Sequence, residues 1–157
     1  HLLVAHPTPP VFDGPEDRNG KRNHDEIRLL RDYACSEFDG SYIVDDQGRA
    51  GALPAGSHFV IAGDLNADPK DGDGLHSIIN SLLQSPSVNS SYTPTSVGAV
   101  EAAKIQGRKN SEHSGDPSSD TGDFNDNSVG NLRADYVIAS QSLKVTESRV
   151  FWPAEKE

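Results

Sequence analysis

An imidazole, two carboxylates and a carboxamide each stand at the end of a short apolar run in this chain. His6 follows Leu-Leu-Val-Ala, Asp64 and Asn66 follow Phe59-Val-Ile-Ala-Gly63, and Asp135 opens Asp-Tyr-Val-Ile-Ala139. Runs this short and β-branched read as buried strands, and side chains two residues apart at a strand end point to the same side. A core does not select His or Asp for such places, because a buried charge or imidazole needs a partner. Gathered together, the four side chains form a donor set suited to a hard divalent cation, a phosphate and an activated water.

The motifs around them resemble the endonuclease/exonuclease/phosphatase superfamily of metal-dependent phosphoesterases. Gly63-Asp64-Leu65-Asn66 is similar to its Gly-Asp-Phe-Asn motif, Arg133-Ala-Asp135-Tyr136 to its Arg-x-Asp-Tyr motif, and Ala5-His6-Pro7 to the strand-end histidine of its deoxyribonuclease-I branch. More closely, the stretch from His6 to Arg28 resembles a mostly secreted bacterial subgroup, which suggests an extracellular or periplasmic setting. The resemblance implies an α+β fold of the four-layer α/β/β/α sandwich type. It also implies roles: Asp64 positions the attacking water and touches a metal, and Asn66 binds the phosphate or a metal-bound oxygen. By the same resemblance His6 donates to a phosphoryl oxygen, and Asp135 orients a catalytic histidine. The implied cofactor is Mg²⁺, with Mn²⁺ or Ca²⁺ as substitutes, and Arg18 is the basic side chain offered to substrate.

The resemblance also predicts what lies elsewhere. The family's metal-gripping Glu belongs to an N-terminal half, and its closing Ser-Asp-His motif follows a segment like Phe151-Trp152-Pro153. Residues 1–157 are therefore expected to form a single incomplete domain, about half of the sandwich, with one mainly antiparallel sheet under one or two helices. The exposed apolar face of that sheet would meet the missing half or a second copy of the chain. On this reading the full-length protein hydrolyses phosphoric esters, whereas the piece binds metal weakly and turns over little.

Composition narrows the substrate. With 24 acidic against 14 basic residues, the formal charge of −10 disfavours duplex nucleic acid, although Arg18, Lys21, Arg22 and Arg28 offer a local basic patch. A phosphatase or small-molecule phosphodiesterase is the expectation ahead of a nuclease. Only 34% of residues are hydrophobic, so the core must be small. The one cysteine, Cys35, falls in a helical pattern and reads as a small buried hydrophobe.

Around the runs, the pattern predicts the elements that must hold them. Asn23 and Glu26 stand in capping-box register before a helix whose stripe is Ile27, Leu30, Ala34 and Phe38. Turn signals at Asp45-Asp46-Gln-Gly48 and Pro54-Ala-Gly56 suggest a small hairpin. A second helix carries Leu75, Ile78, Ile79 and Leu82, with Asp71 or Asp73 as its cap. Pro86 to Asn131 is a long polar stretch, helical only near Val97 to Lys104, and is expected over the site. Arg133 to Ala139 reads as a central strand, and Val145 to Trp152 as an edge strand.

Each chemical residue also has a plainer reading. His6 alone is compatible with a core histidine, Asp64 and Asn66 with a turn-and-cap pair, and Asp135 with a salt bridge to Arg133 or Lys144. Asp64-x-Asn66-x-Asp68 opens like a calcium loop, but Pro69 stands where the turn needs Gly and Leu75 where the bidentate Glu belongs. An irregular calcium site at Asp68, Asp71 and Asp73, in a non-catalytic extracellular module, is the rival from another functional class. A pseudoenzyme that kept the fold is the third reading.

Overall fold

The computed structural model describes residues 1–154. Its centre is a three-stranded sheet of β1 (Leu2–Val4), β2 (Val60–Asp64) and β3 (Asp135–Ala139), in that spatial order. β1 runs parallel to β2 and β3 antiparallel to it, so the sheet is mixed rather than mainly antiparallel. The long connection from β1 to β2 explains this. It carries α1 (Arg18–Ala34) across the sheet, and such a crossover returns the chain in the same direction. β2, not β3, is the central strand.

One face of the sheet is packed. Ile61, Tyr136 and Ile138 alternate inward and meet Ile27 and Ala34 of α1 and Ile78, Ile79 and Leu82 of α2 (His76–Leu83). These apolar stripes at helical spacing against β-branched alternation account for a small core that is continuous across both helices. The other face is open: Leu2, Val4 and Val137 are 68%, 73% and 79% exposed.

Local expectations were redirected in several places. α1 begins at Arg18 with Asp17 before it, six residues earlier in sequence than an Asn23 cap implies, and among the described residues no side chain caps it. α2 likewise starts after Leu75, without a side-chain cap from Asp71 or Asp73. The long polar stretch holds α3 (Val97–Gln106), capped by Ser96 through Ala99 N–H, and two 3₁₀ turns, Arg108–Glu112 and Pro117–Ser119. Val145 to Trp152 is not a strand. Its ties are single bonds, Val150 N–H to Thr95 and Ser96 Oγ to the Trp152 carbonyl. The outer flank of β3 instead meets the loop at Val88 and Asn89. The turn region near Asp45 closes with one bridge, Val44 to Ala50.

Candidate functional site

The ends of β1 and β2 and the start of β3 lie side by side, and that juxtaposition assembles the site. Gly63 makes it feasible, since a Cβ there would fall 1.9 Å from the Ala5 carbonyl oxygen. Without a side chain at position 63, β1 and β2 approach closely at their tips, and His6 arrives beside Asp64. His6 Nε2 stands 3.6 Å from Asp64 Oδ2, an ion-pair distance longer than a hydrogen bond. The imidazole is 71% exposed and the carboxylate 36%, so both face the solvent at the mouth.

Asp64 pairs directly across the sheet with Asp135. The ladder bond from Leu65 N–H to the Ala134 carbonyl makes this a non-hydrogen-bonded pair, the kind in which facing side chains lie closest. Two like charges so placed repel each other unless a cation joins them. Asp135 is exposed and enters no ion pair among the described residues. Its backbone N–H and that of Ala134 both donate to Thr121 Oγ1, which fixes the start of β3. Arg133, the salt-bridge partner of the plainer reading, stacks its guanidinium over the Tyr136 ring instead, 4.6 Å from the centroid.

Asn66 has a positive φ of 49°, a left-handed conformation that Asn tolerates better than most residues. The turn is held by its N–H donating to Asp64 Oδ1 at 2.9 Å and its side-chain amide donating to the Pro7 carbonyl at 3.0 Å. One carboxylate oxygen of Asp64 is thereby fixed and the other left facing His6. A further residue builds this turn, and the sequence pattern had placed it as a cap. Asn23, buried inside α1, donates its amide to the carbonyls of Thr8, Leu65 and Asn66. One side chain therefore clamps the loop after β1 to the loop after β2. Glu26, the other half of the expected capping box, accepts from Thr8 N–H and Oγ1. A polar residue on the buried side of a helical stripe was the available signal.

Arg18 does not join this cluster. It sits exposed at the first turn of α1, in a hollow with Lys21, Arg22 and Glu26 that includes none of His6, Asp64, Asn66 or Asp135. The calcium alternative meets a direct obstacle. Asp68 is buried, with Oδ1 accepting from Lys70 and Asp71 N–H and Oδ2 from Arg133 N–H. Asp71 accepts from Ser114 and Gly115 N–H. These oxygens are occupied by backbone amides. Among the described residues no three His, Cys, Asp or Glu side chains form a closed metal cage.

Asp64 and Asn66, with the Asp135 carboxylate facing them across the sheet, still fit one kind of ion. Mg²⁺ is commonly held by one or two carboxylates, with water and substrate oxygens completing its shell, and needs no protein cage. Oxygen donors in an open, solvent-facing mouth match that requirement.

The sequence model of the endonuclease/exonuclease/phosphatase family matches residues 2–156. The chain belongs to this family, whose nucleases and phosphatases are hydrolases that generally use divalent metals, typically Mg²⁺. No curated protein and no solved structure matches the chain significantly.

Proposed function

We propose that this family member hydrolyses phosphoric esters as a divalent-metal-dependent phosphatase or small-molecule phosphodiesterase, with His6, Asp64, Asn66 and Asp135 at the reacting centre. The opposition of Asp64 and Asp135 across β2 and β3, with His6 beside Asp64, is the observation that carries the reading. A phosphoester resists attack because it is anionic, so its hydrolysis needs positive charge and an oriented water. Mg²⁺ would be held by Asp64 and Asn66 and would supply that charge.

The chain's own groups supply the rest. Asp64 Oδ2 accepts a hydrogen bond from the attacking water and aligns it with the phosphorus, while Oδ1 stays anchored to Asn66 N–H. The side-chain amide of Asn66 has a second N–H beyond the one given to Pro7, and that hydrogen bonds a phosphoryl oxygen. His6 donates to another. Asp135 orients an imidazole that other residues of the full-length protein provide, as a carboxylate orients the histidine of a triad. The open sheet face, with Leu2, Val4 and Val137 exposed, is where the remaining layer of the domain or a second copy packs. Turnover is therefore expected of the full-length protein and little of this portion alone. The net charge of −10 favours small esters over duplex DNA.

The test is turnover of p-nitrophenyl phosphate, bis-p-nitrophenyl phosphate and plasmid by the full-length protein with Mg²⁺, Mn²⁺ or Ca²⁺. Hydrolysis of the small esters that requires metal and disappears in Asp64→Ala supports the reading. No turnover with any metal would falsify it.

A further inference from the structure

A cavity of about 320 Å³ opens next to this centre, and its character is different from the site's. The loop that leaves His6 contributes Val11 and Phe12, the approach to β3 contributes Phe124, Leu132 and Ala134, and Asn66 lies in its wall. Asp68 and Asp71 also border it, but their carboxylates accept the backbone bonds already described, so they offer it little unsatisfied polarity. Gly72, at φ 79°, lets its loop close onto this wall, where a Cβ would reach 3.0 Å from Leu132 Cδ1. Phe12 is the unusual member. Its backbone is left-handed at φ 63°, a costly conformation for a bulky residue, and its ring is 96% exposed. A strained, solvent-facing aromatic has no place in a stability argument, but it suits the lip of a pocket that closes on an apolar group.

We infer that this cavity receives the alcohol part of the phosphoester, and that the preferred substrates carry an aromatic or branched alkyl group there. Three observations agree on that occupant. Asn66 belongs both to the turn that carries Asp64 and to the cavity wall, so a phosphate held by Asn66, as proposed above, would place its alcohol part at the cavity. The volume lies at the small end of ligand pockets, adequate for a single ring or a short branched chain and inadequate for a long acyl chain. The lining is mostly hydrocarbon, with Asp73, Asn125 and Ser128 as its remaining polar members, so a polyol or a charged head group would lose hydration with few partners to replace it. The inference rests on the phosphoesterase reading and adds the substrate class to it.

The experiment compares two monoesters whose alcohols have similar acidity, 2-phenylethyl phosphate and 2-hydroxyethyl phosphate, with the full-length protein and Mg²⁺. A kcat/KM at least about tenfold higher for the phenylethyl ester is expected, in the range that pocket contacts with a hydrocarbon group give. Phe12→Ala and Phe124→Ala should each shrink that ratio several-fold. Phe12 is almost fully exposed, so its replacement leaves folding intact, as circular dichroism can verify. In parallel, titration calorimetry without turnover compares 2-phenylethylphosphonate with methylphosphonate. Hydrolysis of both esters at equal efficiency overturns the inference and leaves the phosphoesterase reading standing. Absence of turnover with every ester overturns that reading, and the phosphonate affinity ratio then decides the cavity alone: a ratio near one overturns the apolar pocket, and a phenylethyl preference lost in Phe12→Ala supports it.

Discussion

Asp64 and Asp68 lie on the same strand-to-turn segment, yet the fold treats them in opposite ways. Asp68 is buried, and its two oxygens accept three backbone N–H groups, one of them from Arg133 at the approach to β3. Asp64 is part-exposed, accepts only Asn66 N–H of its own turn among the described residues, and faces a second carboxylate across the sheet. The first arrangement satisfies a charge and ties two loops together. The second leaves charge unsatisfied at the surface, which is what a binding site does and a scaffold avoids. An acidic residue's role is thus legible from its partners, and exchanging the two aspartates for neutral residues should separate stability from chemistry.

The largest effect is expected at Asp64. Asp64→Asn should lower kcat/KM of the full-length protein by about 10²- to 10⁴-fold, the usual loss when a group that orients or accepts a proton is removed. Thermal unfolding should stay level or move slightly upward, since a repulsive partner has gone. A large fall in Tm with modest loss of activity would reverse the assignment and make Asp64 a scaffold residue.

Asp68 should show the converse. Removing three charge-assisted bonds in Asp68→Ala leaves buried N–H groups without acceptors, a loss of about 3 kcal/mol. For a chain of this size that corresponds to roughly 6–12 °C in Tm. Asn23→Ala belongs with it, because it releases the carbonyls of Thr8, Leu65 and Asn66 together. A loss of about 2 kcal/mol is expected, read by denaturant unfolding. Asn23 also positions the turn of Asn66, so kcat should fall more than KM rises.

Asp120 is a third kind of carboxylate, buried like Asp68 but without a hydrogen bond to its oxygens among the described residues. Burial first, and then repulsion from Asp68, Asp71 and Asp116, pushes its pKa up to about 7 from the usual carboxylate range. The folded state therefore holds a proton that the unfolded chain releases near pH 4. Stability linked to Asp120 is complete below about pH 4 and declines as pH rises through about 7. Between those limits the decline amounts to roughly 2–4 kcal/mol. Asp120→Asn should flatten that slope and raise Tm at pH 8, measured by calorimetric scans from pH 4 to 8.

The residues of the candidate site were more legible in the sequence than the scaffold that brings them together. His6, Asp64 and Asp135 stood out because each interrupts or ends an apolar run, and a run's polar end is visible without coordinates. α1 and α2 were visible for the same reason, as stripes at helical spacing, and the short capped α3 was partly anticipated. Asn23 was not read correctly, because Asn before a helical pattern satisfies the capping rule equally well, and only tertiary contacts show that the helix begins earlier. The parallel pairing of β1 with β2 was equally hidden. Strand direction depends on where the crossover through α1 returns, and three-residue β1 carries no local signal of it. Val145 to Trp152 failed as a strand because alternation alone does not supply a neighbour. The cavity beside Asn66 joins segments that are distant in sequence, so no window of residues encodes it.

The smallest expected effect sharpens the comparison most. If Asp64 and Asp135 repel each other across their non-hydrogen-bonded pair, removing either charge in a metal-free protein should stabilise the fold. Facing like charges in such pairs are worth about 0.2–1 kcal/mol. Asp135→Asn, in EDTA and low salt, should raise Tm by a degree or two, and 0.5 M NaCl should reduce the gain because exposed charges are screened. Adding Mg²⁺ should invert the order: the native pair gains stability from an ion held at Asp64, and the variant, having lost the facing negative charge that favours a cation there, gains less. Asp68→Ala should not show that inversion, since its partners are backbone amides rather than an ion. Equal Mg²⁺ shifts in native protein, Asp135→Asn and Asp64→Asn would place the ion elsewhere and remove the strand tips from the chemistry.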